Sequence, residues 1–237
     1  MNLYYDLHIH SALSPCSDES MTPNNIINMS ILKELDIISV TDHNSAENIE
    51  AVLKCAKNKD ILVIPGMEIE TMEEIHVLCM FKDLESVLKL QSLVYELLPP
   101  IKNREEIFGR QSVLNEYDEE TGVVDKILLN ATGISVNDLY TFVNGLDGVL
   151  APAHVDRSSY SILSNLGAIP QNLDFKYIEI SKQCDIGGLK DRYPEIENYN
   201  LLRSSDAHYL GNILERESFL DLEERSADCL IAHLKNK

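Results

Sequence analysis

Six of the seven histidines in this chain, His8, His10, His43, His76, His154 and His208, stand in or directly after short apolar runs. The seventh, His233, lies in a polar tail and reads as a surface residue. Burying so many ionisable rings together is costly unless they pair or hold metal. The fold must therefore bring the ends of separate strands to one place. Candidate strands run over Leu3–Ile9, Ile37–Thr41, Ile61–Ile69, Ile75–Phe81, Gly148–Ala153, Tyr177–Ile180 and Leu201–Ser205. Helical patterns lie between the early ones. Thr22-Pro23 reads as a cap and first helical position, and Ile49, Val52, Leu53 and Ala56 are spaced as one buried helical face. This alternation predicts an α/β architecture, a mostly parallel sheet or a barrel, with the strands' carboxyl ends sharing a rim.

One connection is too long for a single crossover. From about residue 82 to 147 the chain reads as a small helical insertion within one domain spanning residues 1–237. Asp83 to Leu98 looks helical and stops at Pro99-Pro100, and Ser135 with Asp138 forms a capping box, with Ile134 and Leu139 placed as a hydrophobic staple. The polar stretch Lys102–Glu120 reads equally as a decorated loop or a substrate lid.

Strand side chains at i and i+2 share a face. His8 and His10 can thus reach one ion while Ile9 turns into the other layer. Asp206-Ala207-His208 repeats that geometry at the last strand. Thr41-Asp42-His43 closes the second strand, Pro65-Gly66-Met67-Glu68 puts a carboxylate at the end of the third, and His76 and His154 come from the fourth and fifth. Structural zinc sites are typically rich in cysteine and closed. This donor set is imidazole and carboxylate, suited to Zn, Mn or Fe. It is too large for one ion, so two or three divalent ions sharing Glu68 are expected, with a bridging hydroxide as nucleophile.

The pattern resembles the PHP (polymerase and histidinol phosphatase) superfamily. The resemblance is carried by Asp6-Leu7-His8-Ile9-His10-Ser11, Ser17-Asp18 with Thr22-Pro23, Val40-Thr41-Asp42-His43, Pro65-Gly66-Met67-Glu68, His76, Ala153-His154 and Ser205-Asp206-Ala207-His208, in the family's order. It implies a distorted seven-stranded (β/α) barrel and metal-dependent phosphoester hydrolysis, with Glu68, Asp206 and His208 at the reacting centre. It implies that His8, His10, Glu68 and Asp206 hold a first ion, Glu68, His76 and His154 a second, and Asp18, His43 and His208 a third. The loop between His10 and Asp18 is longer than in many members. Cys16, inside it, is near enough in sequence to compete as a soft ligand, against a reading as a buried small residue.

Around this set, Asp42 reads as a hydrogen-bond partner of a ligand, and Glu70 as a carboxylate able to bond a ligating imidazole. Arg157, three residues after His154, could clamp a substrate phosphate bidentately. Lys182 is a weaker candidate, and Arg203, Tyr4 and Tyr5 read as structural.

Charge bears on the substrate. Lys plus Arg number 20 and Asp plus Glu 39, a formal charge of −19 that repels phosphate backbones. With aromatic content at 6% and no Trp, no stacking track for single strands is visible. Extended nucleic acid is therefore disfavoured, and a small phosphorylated metabolite or nucleotide is the expected substrate. The alternatives are an exonuclease acting on short oligonucleotides and a non-catalytic metal-binding module. The chain shows no signal-peptide pattern and no apolar run near the roughly 18 residues of a membrane span. Its five cysteines form no CxxC, which suits a reducing cytoplasm.

Overall fold

A computed structural model describes residues 1–236. The seven anticipated strands are present, and three more accompany them. In chain order they are β1 (Asn2–Ile9), β2 (Ile37–Val40), β3 (Leu62–Glu70), β4 (His76–Met80), β5 (Ser112–Leu114), β6 (Glu120–Val123), β7 (Val149–Pro152), β8 (Tyr177–Ile180), β9 (Asn200–Arg203) and β10 (Phe219–Asp221). The helices are α1 (Pro23–Leu32), α2 (Ile49–Ala56), α3 (Leu84–Leu97), the single turn α4 (Glu105–Phe108), α5 (Val136–Gly145), α6 (Ile162–Leu166), α7 (Ile186–Arg192) and α8 (Ala227–Asn236). None is long and apolar enough to cross a membrane.

The main sheet has the order β10-β1-β2-β3-β4-β7. It is less parallel than the alternation suggested. β1–β2 and β2–β3 are parallel, whereas β3–β4, β4–β7 and β1–β10 are antiparallel. The parallel pair β8–β9 continues the curl: β8 lies beside β7, and Ala207, just beyond β9, bridges in parallel to Ile9. One buried cluster takes Leu7, Ile37, Ile64, Met80, Ala151, Tyr177 and Leu202 from successive strands round this curl and packs them with Leu230, Ile231 and Leu234 of α8. The larger cluster lies on the other face, between the sheet and α1, α2, α3 and α5.

The helices start where the sequence marks them. Thr22 accepts a hydrogen bond from the Asn25 N–H ahead of Pro23, Asp83 caps α3 by accepting from the Ser86 N–H at 2.8 Å, and Ser135 caps α5. Each satisfies a donor that a helix start leaves without an intrahelical partner.

The middle of the insertion departs from its helical reading, while α3 and α5 stand where the sequence places them. Lys102–Glu120 holds one helical turn, and Ser112–Val123 is a hairpin. Its reversal is built on Asn115, whose side-chain oxygen accepts from the Tyr117 and Glu119 N–H groups. The hairpin is docked onto the loop after His10. Ser112 N–H bonds the Ala12 carbonyl at 3.1 Å, Leu114 N–H bonds Asn48 at 2.8 Å, and Asn24 donates to the Glu116 carbonyl at 2.7 Å. Gly109, at φ 98°, lies so close to this loop that a Cβ would stand 2.0 Å from the Pro15 carbonyl oxygen. The insertion therefore buttresses the loop after His10 at Ala12 and Pro15.

Candidate metal centre

β1 and β2 fall out of step between Asp6 and Ile9, where β1 holds an extra residue. Such a bulge shifts the alternation of side chains. Tyr5 and Leu7 join the inner cluster, and beyond the bulge Ile9 joins the outer one. His8 and His10 are consequently both turned inward and fully buried. His43 follows β2 and bridges to Glu68 near the end of β3. Gly66 allows that approach, since a Cβ there would lie 2.5 Å from Ser39 Oγ and 2.8 Å from Thr41 Cγ2. His154 follows β7, and Asp206 and His208 follow β9.

His76 reaches the same rim by another route. It is the first residue of β4, which runs antiparallel to β3, with His76 opposite Glu70. His154 and Asp206 hold positive φ angles of 30° and 52°. Non-glycine residues keep such conformations when their surroundings over-determine them. Here the His154 N–H donates to Glu179 at 2.9 Å, and Asp206 sits between Ser205, bonded to Asp6, and Ala207, bonded to the His8 carbonyl.

Glu68 is the hub. Its Oε1 lies 2.9 Å from His76 Nδ1 and 3.3 Å from both His8 Nε2 and His154 Nε2. Its Oε2 lies 2.8 Å from His43 Nδ1 and 3.5 Å from His10 Nε2. Asp206 Oδ1 stands 3.0 Å from His10 Nε2 and 3.3 Å from His8 Nε2, and those two nitrogens are 3.0 Å apart. Ligand atoms sharing one ion through bonds of about 2.05 Å sit about 2.9–3.4 Å apart, so the spacing fits shared cations. Three donor groups are compact enough to hold one: His8, His10 and Glu68; His43, Glu68 and His76; and His10, His43 and His208.

The buried charges of the cluster act strongly on one another. Burial opposes charge on Glu68, yet His76, His8 and His43 hold its carboxyl well below the usual range. Burial likewise opposes charge on His8, but Glu179, Glu68 and Asp206 outweigh it and keep the imidazole well above its ordinary value. His10 goes the other way, lowered by burial and by its neighbours His208 and His43. Among the buried atoms of this cluster, Glu68 Oε2 and His154 Nδ1 have no hydrogen bond, although His43 Nδ1 stands 2.8 Å from Glu68 Oε2. Buried polar groups are ordinarily partnered, and a cation is the partner that the Glu68 lone pairs suit.

The imidazoles are oriented from behind. Both oxygens of Glu179 lie 3.0 Å from His8 Nδ1. That bond directs Nε2 towards the cluster. His10 Nδ1 lies 3.0 Å from Ser14 Oγ, which donates on to Asp42 at 2.7 Å. Asp42 thus supports a candidate ligand from behind, as its alternation suggested. Glu179 and Ser14 were not foreseen. Glu179 had a signal, a lone carboxylate inside the apolar run Tyr177–Ile180; Ser14 had none.

Other sequence candidates are placed differently. The Asp18 carboxylate is at the surface, accepting from the backbone and hydroxyl of Ser20, while its backbone N–H bonds the His208 carbonyl. Cys16, read either as a soft ligand or as a buried small residue, is exposed, and its Sγ lies 3.1 Å from His208 Nε2. Partial desolvation of the Sγ itself pushes this thiol up, but the neighbouring His208 and His43 bring it down to about 6. Glu70 is 3.8 Å from His76 Nε2, beyond hydrogen-bond reach. Arg157 pairs with Asp206 at 2.6 Å and lines a cleft with Lys182 and Ser205. Arg203 donates to the Ser181 and Lys182 carbonyls, a structural role. His233 is half-buried in α8 beside Tyr177.

A curled α/β sheet thus carries at one rim a set of donors of the kind that holds divalent metal. The chain belongs to the PHP domain family, whose sequence profile matches residues 6–151. An uncharacterised protein of Methanocaldococcus jannaschii is 29% identical over 161 residues, which span 68% of this chain and 17% of that relative. The fold is similar to the lesion-specific endonuclease EndoQ of Pyrococcus furiosus, with a TM-score of 0.72 at 18% identity over 99% of this chain and 56% of that one. It is also similar to a proposed metal-dependent phosphoesterase from Bifidobacterium adolescentis, with a TM-score of 0.65 at 14% identity over 92% of each chain.

Proposed function

We propose that this chain hydrolyses a small phosphorylated metabolite or nucleotide with two or three divalent cations (Zn, Mn or Fe) held by the Glu68 cluster. The observation that carries the reading is the buried convergence of His8, His10, His43, His76, His154 and Asp206 on Glu68 or its immediate neighbours, beside a cleft that holds Arg157 and Lys182. His8, His10, Glu68 and Asp206 would hold one ion, Glu68, His76 and His154 a second, and His43 with His208 would contribute to a third. Bound cations supply charge stabilisation on the phosphoryl oxygens and acidify water at neutral pH.

The chain's own residues bind and orient. Glu179 and the Ser14–Asp42 pair fix the His8 and His10 rings. Asp206 lies between the donor cluster and the cleft, in contact with both His10 and Arg157. His208, whose side chain is 22% exposed, stands on the open side. Arg157, with its side chain 44% exposed, presents its guanidinium to an entering phosphate. Arg157→Ala is expected to raise KM for a phosphorylated substrate about tenfold, the loss of one charge-assisted hydrogen bond of about 1.4 kcal/mol, with metal content unchanged. Wild-type steady-state parameters in the variant would make Arg157 a surface residue.

A nuclease reading has a specific observation in its favour. Tyr160, half-exposed, stacks on His76 with ring centroids 5.0 Å apart, and Tyr209, next to His208, is 55% exposed. Exposed rings can stack bases. EndoQ itself has been seen with a 27-mer duplex bearing an abasic lesion at its active site. Against this stands the charge of −19, which a small substrate evades and a long polyanion meets along its length. The deciding comparison is kcat/KM on nucleotide and sugar phosphates against a labelled single-stranded oligonucleotide and a lesion-bearing duplex, at low and moderate salt. The small substrates are expected to win at both. A polynucleotide that wins at both establishes the nuclease, and no hydrolysis by fully metal-loaded protein leaves the non-catalytic module.

A further inference from the structure

The loop from Ser11 to Asp18 is held along its length. Ser14 N–H bonds the Ser11 carbonyl, Ser17 N–H bonds the Ser14 carbonyl at 2.9 Å, and Asp18 N–H bonds the His208 carbonyl at 2.9 Å. The Ser14 side chain is tied to His10 and Asp42, and Gly109 braces Pro15 from outside. These ties set the direction of the residue between them. Cys16 points its Sγ to within 3.1 Å of His208 Nε2. Two donors on a shared ion, one sulfur at about 2.3 Å and one imidazole nitrogen at about 2.05 Å, stand about 3.1–3.6 Å apart for angles between a right angle and tetrahedral. The observed separation falls at the short end of that range.

A second observation points to a ligand at the same place. His10, His43 and His208 offer nitrogens within 4.8 Å of one another. Beside them Glu68 Oε2, on a side chain 1% exposed, has no hydrogen bond although His43 Nδ1 is 2.8 Å away. The nearest carboxylate in the sequence, Asp18, is turned out to Ser20.

We propose that Cys16 is a thiolate ligand of the third cation position, with His43 and His208, taking the place that the sequence pattern gives to Asp18. Thiolate is a soft donor, so this position should favour Zn or Fe(II) over Mn, while the positions built on Glu68, Asp206 and the other imidazoles remain indifferent. The inference rests on the metal-centre reading. Its test uses a readout that separates the two.

The 237-residue chain stripped of metal is titrated with cobalt(II). Visible d–d bands report cobalt on any ligands, and a near-ultraviolet charge-transfer band reports cobalt bound to sulfur. Wild type is expected to show both. Cys16→Ser should lose the near-ultraviolet band and one bound equivalent while keeping the visible bands. Asp18→Asn and Cys184→Ser should retain everything. Visible bands without the near-ultraviolet band in wild type, or a near-ultraviolet band that survives Cys16→Ser, overturn the thiolate ligand and leave the metal centre standing. Absence of all cobalt bands overturns both. Cys16 is exposed, so serine there costs no core packing; circular dichroism of each variant checks that the fold is retained.

Discussion

Glu68→Gln is expected to lower kcat/KM on a phosphoester by at least about 10²–10³-fold, the scale seen when one preorganised electrostatic contact at a reacting centre is removed. It should also cost bound metal. The substitution keeps the side chain's shape and removes its charge. Five imidazoles, those of His8, His10, His43, His76 and His154, lie within 3.5 Å of this carboxylate. No other carboxylate is so placed among the described residues. An amide offers one acceptor oxygen and turns an NH2 towards nitrogens whose lone pairs are meant for cations. Elemental analysis beside the hydrolysis assay checks both halves. Asp18→Asn is the informative contrast and should change activity little, because its carboxylate bonds Ser20 at the surface. Normal turnover and full metal content in Glu68→Gln would remove Glu68 from the centre of the site.

Much of that centre was legible because its residues occupy strand ends, where apolar alternation stops and an imidazole or carboxylate begins. His8, His10, Glu68, His154, Asp206 and His208 needed only that rule and the convergence of ends at one rim. The direction of β4 was harder, because a run such as Ile75–Phe81 reads the same in either direction. A signal did exist. Thr71–Ile75 is a turn in which the Thr71 N–H bonds the Ile75 carbonyl at 2.9 Å. So short a link cannot contain the crossover that a parallel neighbour requires. It implies an antiparallel strand with His76 at its start.

The hairpin Ser112–Val123 was hidden for a different reason. Its acidic residues have poor strand propensity, and its stability comes from docking on Ala12, Asn24 and Asn48, long-range contacts invisible to a local pattern. The same limit applies to Asp18 and Cys16. Spacing brings both near His208, but the bonds that pin the loop decide which one faces it.

Glu179→Gln tests the support behind the cluster. Glu179 is 1% exposed, and its carboxylate spans two elements, reaching His8 Nδ1 with both oxygens at 3.0 Å and accepting from the His154 N–H at 2.9 Å. A glutamine has one acceptor for these two donors, and its amide would face a donor with another donor. His8 would lose the charge that fixes its tautomer and strengthens Nε2 as a ligand. Loss of such a partner lowers metal affinity about 10–100-fold. At a free metal concentration 100 times the wild-type Kd, binding stabilises the fold by about 2.7 kcal/mol. The same concentration would stabilise the variant by about 0.4–1.4 kcal/mol. The difference, about 1.3–2.3 kcal/mol, corresponds to a Tm about 3–9 °C lower for a chain of this size. This predicted gap belongs to the metal. Melting both proteins in excess metal and again in chelator should therefore show it largely disappear in the second pair. A gap of the same size in chelator, with unchanged metal affinity, would mean that Glu179 serves the strand junction between β7 and β8 and contributes nothing to ligation. A gap confined to the metal-loaded pair would show that the carboxylate acts through His8, which lies on the opposite side of the curl's closure from its own strand.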